Sequence, residues 1–268
     1  MMFFEFDIYN IVSSLLISML IQAVFFTIAY ANKTDKVTDF SYSLSFISMT
    51  AFFTVTNKAY NPIQLIMATF IILWGLRLGA YLLTRIIRIG KDKRFDDKRE
   101  NFIRFLGFWI LQASAVWLVM MPSVVFLTRP APESIGVFTI VGIVFWILGF
   151  IIEVISDHQK FQFKSKGEND GRWIEEGLWK YSRHPNYFGE TILWWALFIM
   201  AIPSLNAWLY LTVIGPIFIT LLLLFVSGIP LLEKSAEKQY GLNPEYQDYK
   251  RRTSIFVLLP PQKKVIHD

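Results

Sequence analysis

Ile135-Gly-Val-Phe-Thr-Ile-Val-Gly-Ile-Val-Phe-Trp-Ile-Leu-Gly-Phe-Ile-Ile152 runs for 18 residues without a charge, and Glu153, Asp157 and His158 follow at once. A helix that crosses a bilayer needs about 20 predominantly apolar residues. Blocks of the same kind recur along the chain, so the sequence predicts spans at 8–31, 40–56, 62–83, 102–127, 135–156, 187–202 and 207–232. This reading makes the chain an all-α polytopic membrane protein of seven transmembrane helices. The expected organisation is one membrane domain over 1–268, with three spans and a basic loop in 1–100 and the remaining spans in 101–268. Composition agrees: 54% of the residues are hydrophobic and 18% charged, where soluble domains carry about 25% charged residues. Mean hydropathy is +0.43. A soluble enzyme, a disordered chain and a nucleic-acid reader are excluded. The span at 40–56 is the most polar, because Ser41, Ser43, Ser45, Ser48, Thr50, Thr54 and Thr56 fall within it. Hydroxyls in a membrane helix usually bond back to their own backbone.

Charge sets the orientation. Seven spans divide the loops into two sets, one with 22 Lys and Arg and the other with Lys58 and Arg129 alone. Cytoplasmic loops carry the excess of Lys and Arg, which places the N-terminus outside and the C-terminus in the cytoplasm. In a bacterium the membrane would be the inner one. The first block is expected to stay in the mature chain, since its flank carries Glu5 and Asp7 and no Lys or Arg. With no Cys and with His158, His184 and His267 far apart in sequence, no metal centre is expected.

The polar residues gather in three cytoplasmic clusters, at 85–100, 157–190 and 233–252. The first reads as an ordinary basic loop against anionic headgroups. The second contains Gly171-Arg-Trp-Ile-Glu-Glu-Gly-Leu-Trp-Lys-Tyr-Ser-Arg-His-Pro-Asn-Tyr-Phe-Gly-Glu190, which runs directly into the sixth span. Pro185 suits the first turn of a helix. Asn186 and Glu190, four apart, share a helix face just inside the membrane. A carboxylate there is costly unless it is paired or solvated, so Glu190 is a site candidate. Arg183, His184 and Tyr187 place a cation, a titratable ring and a phenol at the same helix mouth. One span earlier, Asp157 is suited to accept hydrogen bonds from a ribose or an adenine amine, and Lys164 to meet a phosphate. In the third span Arg77 needs a partner, for which Glu153 and Glu190 are the obvious choices, and Tyr81 lies one turn beyond it. Gly75 and Gly79 have the small-xxx-small spacing of a tightly packed helix.

The run Ser156-Asp157, continuing through Gly177-Leu-Trp-Lys-Tyr-Ser-Arg-His-Pro-Asn-Tyr-Phe-Gly-Glu190-Thr-Ile-Leu-Trp-Trp195, resembles the C-terminal domain of the steroid 5-alpha-reductase-like integral membrane family. Trp74-Gly-Leu-Arg-Leu, Gly90-Lys-Asp-Lys-Arg94-Phe and the tail from Glu233 to Pro260 with Tyr246 and Tyr249 resemble it too. What this resemblance implies is a cytoplasmic half that encloses NADPH and a lipid-side cavity for a hydrophobic lipid substrate. The reaction implied is reduction of a carbon–carbon double bond conjugated to a ketone. By position, Asp157, Lys164, Arg172, Tyr181, Arg183, His184, Asn186, Tyr187, Glu190, Tyr246 and Tyr249 fall on the cofactor side. Asn186 and Glu190 would lie nearest the nicotinamide. Arg77 and Tyr81 look similar to the family's Arg-x-x-x-Tyr, whose phenol faces the substrate ketone, and Trp74 and Gln64 join them on the substrate side. Tyr81 and Glu190 are the catalytic candidates. Steroid-reducing members pair that Tyr with a Glu of the second span. Here the first two spans hold no Asp or Glu, so either Gln22 or Gln64 substitutes or the substrate is not the usual 3-oxo steroid. The partners expected are this lipid and the membrane itself, with the chain acting as a monomer and no nucleic acid.

A second resemblance is more distant. Arg183-His184-Pro185, Tyr187 and the acids Glu233 and Glu237 are similar to isoprenylcysteine carboxyl methyltransferases, which would put S-adenosylmethionine in place of NADPH. A lipid-binding or transport scaffold is the non-enzymatic alternative.

Overall fold

In the computed structural model residues 7–90, 95–96 and 99–262 are described, and among them the regular elements are helices. They are α1 (Ile11–Ala31), α2 (Thr38–Thr56), α3 (Pro62–Ile89), α4 (Phe102–Thr128), α5 (Val137–Ser165), α6 (Pro185–Ala201), α7 (Ile214–Leu221), α8 (Ile229–Tyr240) and α9 (Pro244–Arg252). Residues 91–94 of the Gly90–Phe95 pattern lie outside the described residues. Among the described residues six helices or helical runs are long and apolar enough to cross a membrane, the last of them the continuous stretch Ala207–Tyr240. The missing one is α2. It has 19 residues, but eight of them are Ser or Thr, and it falls short on apolarity. The structure therefore supports a multi-pass membrane protein with six such segments, one fewer than the sequence predicts.

The chain forms two compact units. The first comprises Met1–Ile140 and Leu197–Gly215. Within it α2 packs on α3, α1 packs on α4, and both α1 and α4 touch α2. The hydroxyls of α2 explain how so polar a helix is buried. Ser43, Ser45, Thr54 and Thr56 bond back to carbonyls of their own helix. Gln22 of α1 donates to Ser45 Oγ at 2.8 Å, and Gln112 of α4 donates to Gln22 Oε1 at 2.9 Å and to Ser41 Oγ at 3.1 Å. Three helices thus share one satisfied polar seam, the condition for burying such groups without penalty. The Gly75/Gly79 pair serves as its spacing predicts. A Cβ at Gly75 would lie 2.7 Å from Ile47 Cγ1, and one at Gly79 would lie 2.7 Å from Ser43 Oγ, so α2 rests directly on the α3 backbone. At the two ends of the basic cluster at 85–100, Arg85 pairs with Asp39 at 2.7 Å and Arg99 with the buried Asp35 at 3.1 Å. These two cations hold the start of α2 rather than lying free on a surface.

The second unit comprises Val141–Ala196 and Pro216–Asp268. Its α5 and α6 meet backbone to backbone: a Cβ at Gly149 would lie 2.7 Å from the Gly189 carbonyl, and one at Gly189 would lie 2.6 Å from the Gly149 carbonyl. This crossing sets the buried Glu153 of α5 against the turn of α6 that carries Glu190. A π-helical turn, Leu222–Val226, joins α7 to the approach of α8. Such turns are rare and concentrate at functional sites. Past α9 the chain returns as a strap. Arg183 N donates to the Ser254 carbonyl at 2.8 Å, Ser182 Oγ to the Phe256 carbonyl at 2.7 Å, and Leu259 N to the Tyr181 carbonyl at 3.1 Å.

Candidate functional site

The strap matters because it holds the residues just before α6. With its backbone and Ser182 tied to the C-terminal segment, the Arg183-His184 pair is held over α8. His184 Nε2 lies 2.8 Å from Glu233 Oε1, and Arg183 Nη2 lies 3.1 Å from Glu233 Oε2. Arg183 Nη1 donates to the Lys250 carbonyl at 2.7 Å, which ties α9 to the same cluster. Both cationic-type side chains are at least nine-tenths buried. Burial lowers the pKa of His184, against the opposing hydrogen bond to Glu233, so the ring is neutral at pH 7. The Glu233 carboxylate then takes the proton on Nε2 as a hydrogen bond, and Nδ1 is left as an acceptor.

These residues line a cavity of about 210 Å³. Lys160 and Lys164 of α5 and Arg183 bring three cations to its wall, and Trp173, Trp179, Tyr240, Tyr246 and Tyr249 bring five aromatic rings. The rings brace one another. Trp173 lies 5.2 Å from Tyr246 and 5.7 Å from Tyr240, centroid to centroid. Tyr249 donates to the Trp179 carbonyl at 2.8 Å, and Trp179 Nε1 donates to the Ser156 carbonyl at 3.0 Å. Lys160 Nζ sits 4.7 Å above the Trp179 ring, in cation–π range. Burial pushes Tyr246 up to about 12 and Tyr249 higher still, so both phenols stay protonated donors. Three lining residues keep a buried polar atom with no hydrogen-bond partner: His184 Nδ1, Trp173 Nε1 and Arg183 Nε. Orphaned buried groups of this kind are costly in a folded chain and fit a ligand that satisfies them. Two hollows adjoin the cavity, one of about 850 Å³ sharing Gln239 and Tyr240 with it, the other of about 330 Å³ sharing Trp173.

Of the residues singled out from the sequence, Lys164, Arg183, His184, Tyr246 and Tyr249 line this cavity. Arg172 lines the 330 Å³ hollow, and its carbonyl accepts from Tyr240 at 3.0 Å and Lys164 at 3.3 Å. Tyr187 stacks on His184, with ring planes 9° apart and centroids at 5.8 Å. Asp157 is buried on α5; Asn186 and Glu190 are half-buried on α6; none of these three lines the cavity. Tyr181 is exposed and contributes its backbone carbonyl to the strap. Trp74, Arg77 and Tyr81 sit on α3, in the first unit, where Trp74 is fully buried edge-on to Phe46. Gln64 lies 13 residues before Arg77, about 20 Å along the helix. Its amide donates to the Phe126 and Arg129 carbonyls at 3.1 and 2.9 Å, which ties α3 to the end of α4. Among the described residues no group of acids and histidines is arranged to hold a metal.

The sequence reading did not single out Lys160, Trp173, Trp179 or Tyr240, and it took Glu233 only as the start of the tail that resembles the reductase family and, with Glu237, as an acid of the rival resemblance. A signal for the aromatics was present: all three stand outside the apolar blocks, among polar residues that have no need of a large ring.

No solved structure matches the chain. It is 22% identical over 270 residues to an uncharacterized protein of Schizosaccharomyces pombe, covering 88% of this chain and 77% of that one. It is 30% identical to the 3-oxo-5-alpha-steroid 4-dehydrogenase 1 of Bos taurus over 69 residues only, 26% of this chain and 26% of the bovine one. The model of the family described as "Protein of unknown function (DUF1295)" matches residues 25–253, most of the length, and the chain belongs to that family.

Proposed function

We propose that the chain is an NADPH-dependent membrane reductase that saturates a carbon–carbon double bond conjugated to a carbonyl in a lipid. The observation that carries this reading is the cavity of the second unit, whose wall brings together three cations and five aromatic rings. That lining suits a phosphorylated nucleotide. The 69-residue likeness to a steroid dehydrogenase supports a reductase over other users of nucleotides. NADPH, when bound, supplies the hydride. Lys160, Lys164 and Arg183 would hold its phosphates, with Asp157 and Arg172 along the same path. Asn186 and Glu190 would orient the nicotinamide. Arg77 and Tyr81, with Trp74, would face the substrate, the Tyr81 hydroxyl donating to the carbonyl oxygen as negative charge develops there. In this reading α2 also crosses the bilayer, which gives seven spans with the cofactor side in the cytoplasm, and the chain acts as a monomer.

One observation favours a second reading. Glu233 meets Arg183 and His184 directly, and these are the two ends of the pattern shared with isoprenylcysteine carboxyl methyltransferases. Ligand-dependent melting separates the two. NADPH at about 100 times its dissociation constant should stabilise the purified protein by about 2.7 kcal/mol, and S-adenosylmethionine should leave it unchanged. The reverse pattern would replace the reductase with the methyltransferase.

Topology has its own test. A reporter on Asp268 should read as cytoplasmic and one on Met1 should not. Both ends on one side would return α2 to a buried, non-spanning helix.

A further inference from the structure

We infer that the strap past α9 is a membrane-surface element: Ile255, Val257 and Leu259, with Tyr181 beside them, seat at the boundary between headgroups and acyl chains. The partner is the phospholipid leaflet that α6 enters. This goes beyond the reductase reading and holds whichever cofactor the cavity takes.

The first argument is depth. α6 belongs to one of the six runs able to cross a membrane, and the strap bonds to Tyr181, Ser182 and Arg183 just ahead of it. Phe256 of the strap also meets Phe188 edge to face, with ring centroids 5.5 Å apart. Phe188 is in the first turn of α6, about 5 Å past its start at the rise of an α-helix. The strap therefore lies at the level where α6 passes from water into lipid.

The second argument is exposure. Ile255, Val257 and Leu259 are 44%, 41% and 52% exposed, while Phe256 among them is turned onto Phe188. Apolar side chains gathered on a surface mark a contact. Tyr181 is exposed too, and its carbonyl accepts from Leu259 N at 3.1 Å, which sets it beside the aliphatic run. Tyrosine concentrates at membrane–water interfaces, where its ring meets lipid and its hydroxyl meets headgroups. The third argument is charge. The exposed Lys180 and Arg251 lead into the two paired segments. Long cationic side chains can lay their stems on apolar surface and reach phosphates with their heads.

The chain contains no Cys, so one introduced thiol carries one label. Val257→Cys and Leu259→Cys, each bearing a small fluorophore, are reconstituted as the full chain in phosphatidylcholine–phosphatidylglycerol nanodiscs. Ile151→Cys, at an exposed apolar position of α5, and Glu168→Cys, at an exposed position in the polar segment after it, serve as references. Two quenchers are compared: a phospholipid with a nitroxide near the top of its acyl chain, and aqueous iodide. The nitroxide lipid should quench both strap labels within about twofold of Ile151→Cys, and iodide should quench them at least about threefold less than Glu168→Cys, as for side chains sunk into the interface. Iodide quenching equal to that of Glu168→Cys, with none from the nitroxide lipid, would put the strap in water and overturn the inference. Protection from both quenchers would mean that protein covers this face, a second copy or another segment, and would overturn it equally. The two positions are read separately, so a variant that fails to fold leaves the other to decide. None of these outcomes bears on the reductase reading.

Discussion

Tyr81→Phe should lower kcat on a lipid enone by about 10²–10³-fold, the loss seen when one oxyanion-hole donor is removed. Its affinity for NADPH should stay within about twofold. In the proposed reaction the hydroxyl would contribute chiefly when the carbonyl oxygen acquires charge, as hydride reaches the carbon beta to it. An interaction made mainly in the transition state appears in kcat and kcat/KM together and leaves ground-state binding alone. Arg77, one turn away on the same helix, would supply positive potential in a water-poor site, where a single donor counts for more than it does in water. Glu190→Gln makes the contrast. Proposed to lie with Asn186 at the nicotinamide, Glu190 should on substitution weaken NADPH binding as well as turnover. Calorimetry for the nucleotide and steady-state kinetics for the enone separate the two residues. If Tyr81→Phe turns over at the wild-type rate, the hydroxyl merely packs within α3 and the substrate side of the mechanism loses its donor.

What the sequence made legible follows from local rules, and what it hid follows from non-local ones. The apolar blocks became helices because hydropathy and helix length are properties of a single stretch. The Gly75/Gly79 spacing foretold a close helix contact, and α2 is the helix in contact. The same spectrum of hydroxyls that made α2 look anomalous is what pairs it with Gln22 and Gln112, but both glutamines lie on other helices and no local pattern links them to Ser41. Gly149 and Gly189 escaped notice for the same reason: each is an isolated glycine in its own helix, and only their mutual contact gives them meaning. At the site, Arg183, His184 and Pro185 were visible as a polar run entering a span. Glu233, 49 residues beyond His184, was grouped with them only through the methyltransferase resemblance, because no local pattern links the two stretches. The strap is the extreme case, because Ser182 bonds to a carbonyl 74 residues away.

That clustering makes Glu233 the residue whose loss should cost the second unit most stability. Glu233→Ala would leave the Arg183 guanidinium, 10% exposed, without its carboxylate, and would free His184 Nε2 in a buried position. Removing one partner of a buried ion pair typically costs about 3–5 kcal/mol, because the remaining charge stays desolvated. The lower end applies here, since Arg183 keeps its bond to the Lys250 carbonyl. For a chain of this size the loss corresponds to a fall of roughly 10 °C in the melting temperature. Glu233→Gln keeps an acceptor for His184 and should lose less. The paired substitution Arg183→Met with Glu233→Leu removes both charges and should recover a good part of the stability, since apolar side chains of similar volume can replace a buried ion pair at little net cost. Nucleotide binding should not recover with it, because Arg183 is one of the three cations assigned to the phosphates. A double variant that melts no higher than Glu233→Ala would mean that the carboxylate acts through packing rather than charge. Recovery of both stability and NADPH affinity would take Arg183 out of the binding site and leave the phosphates to Lys160 and Lys164.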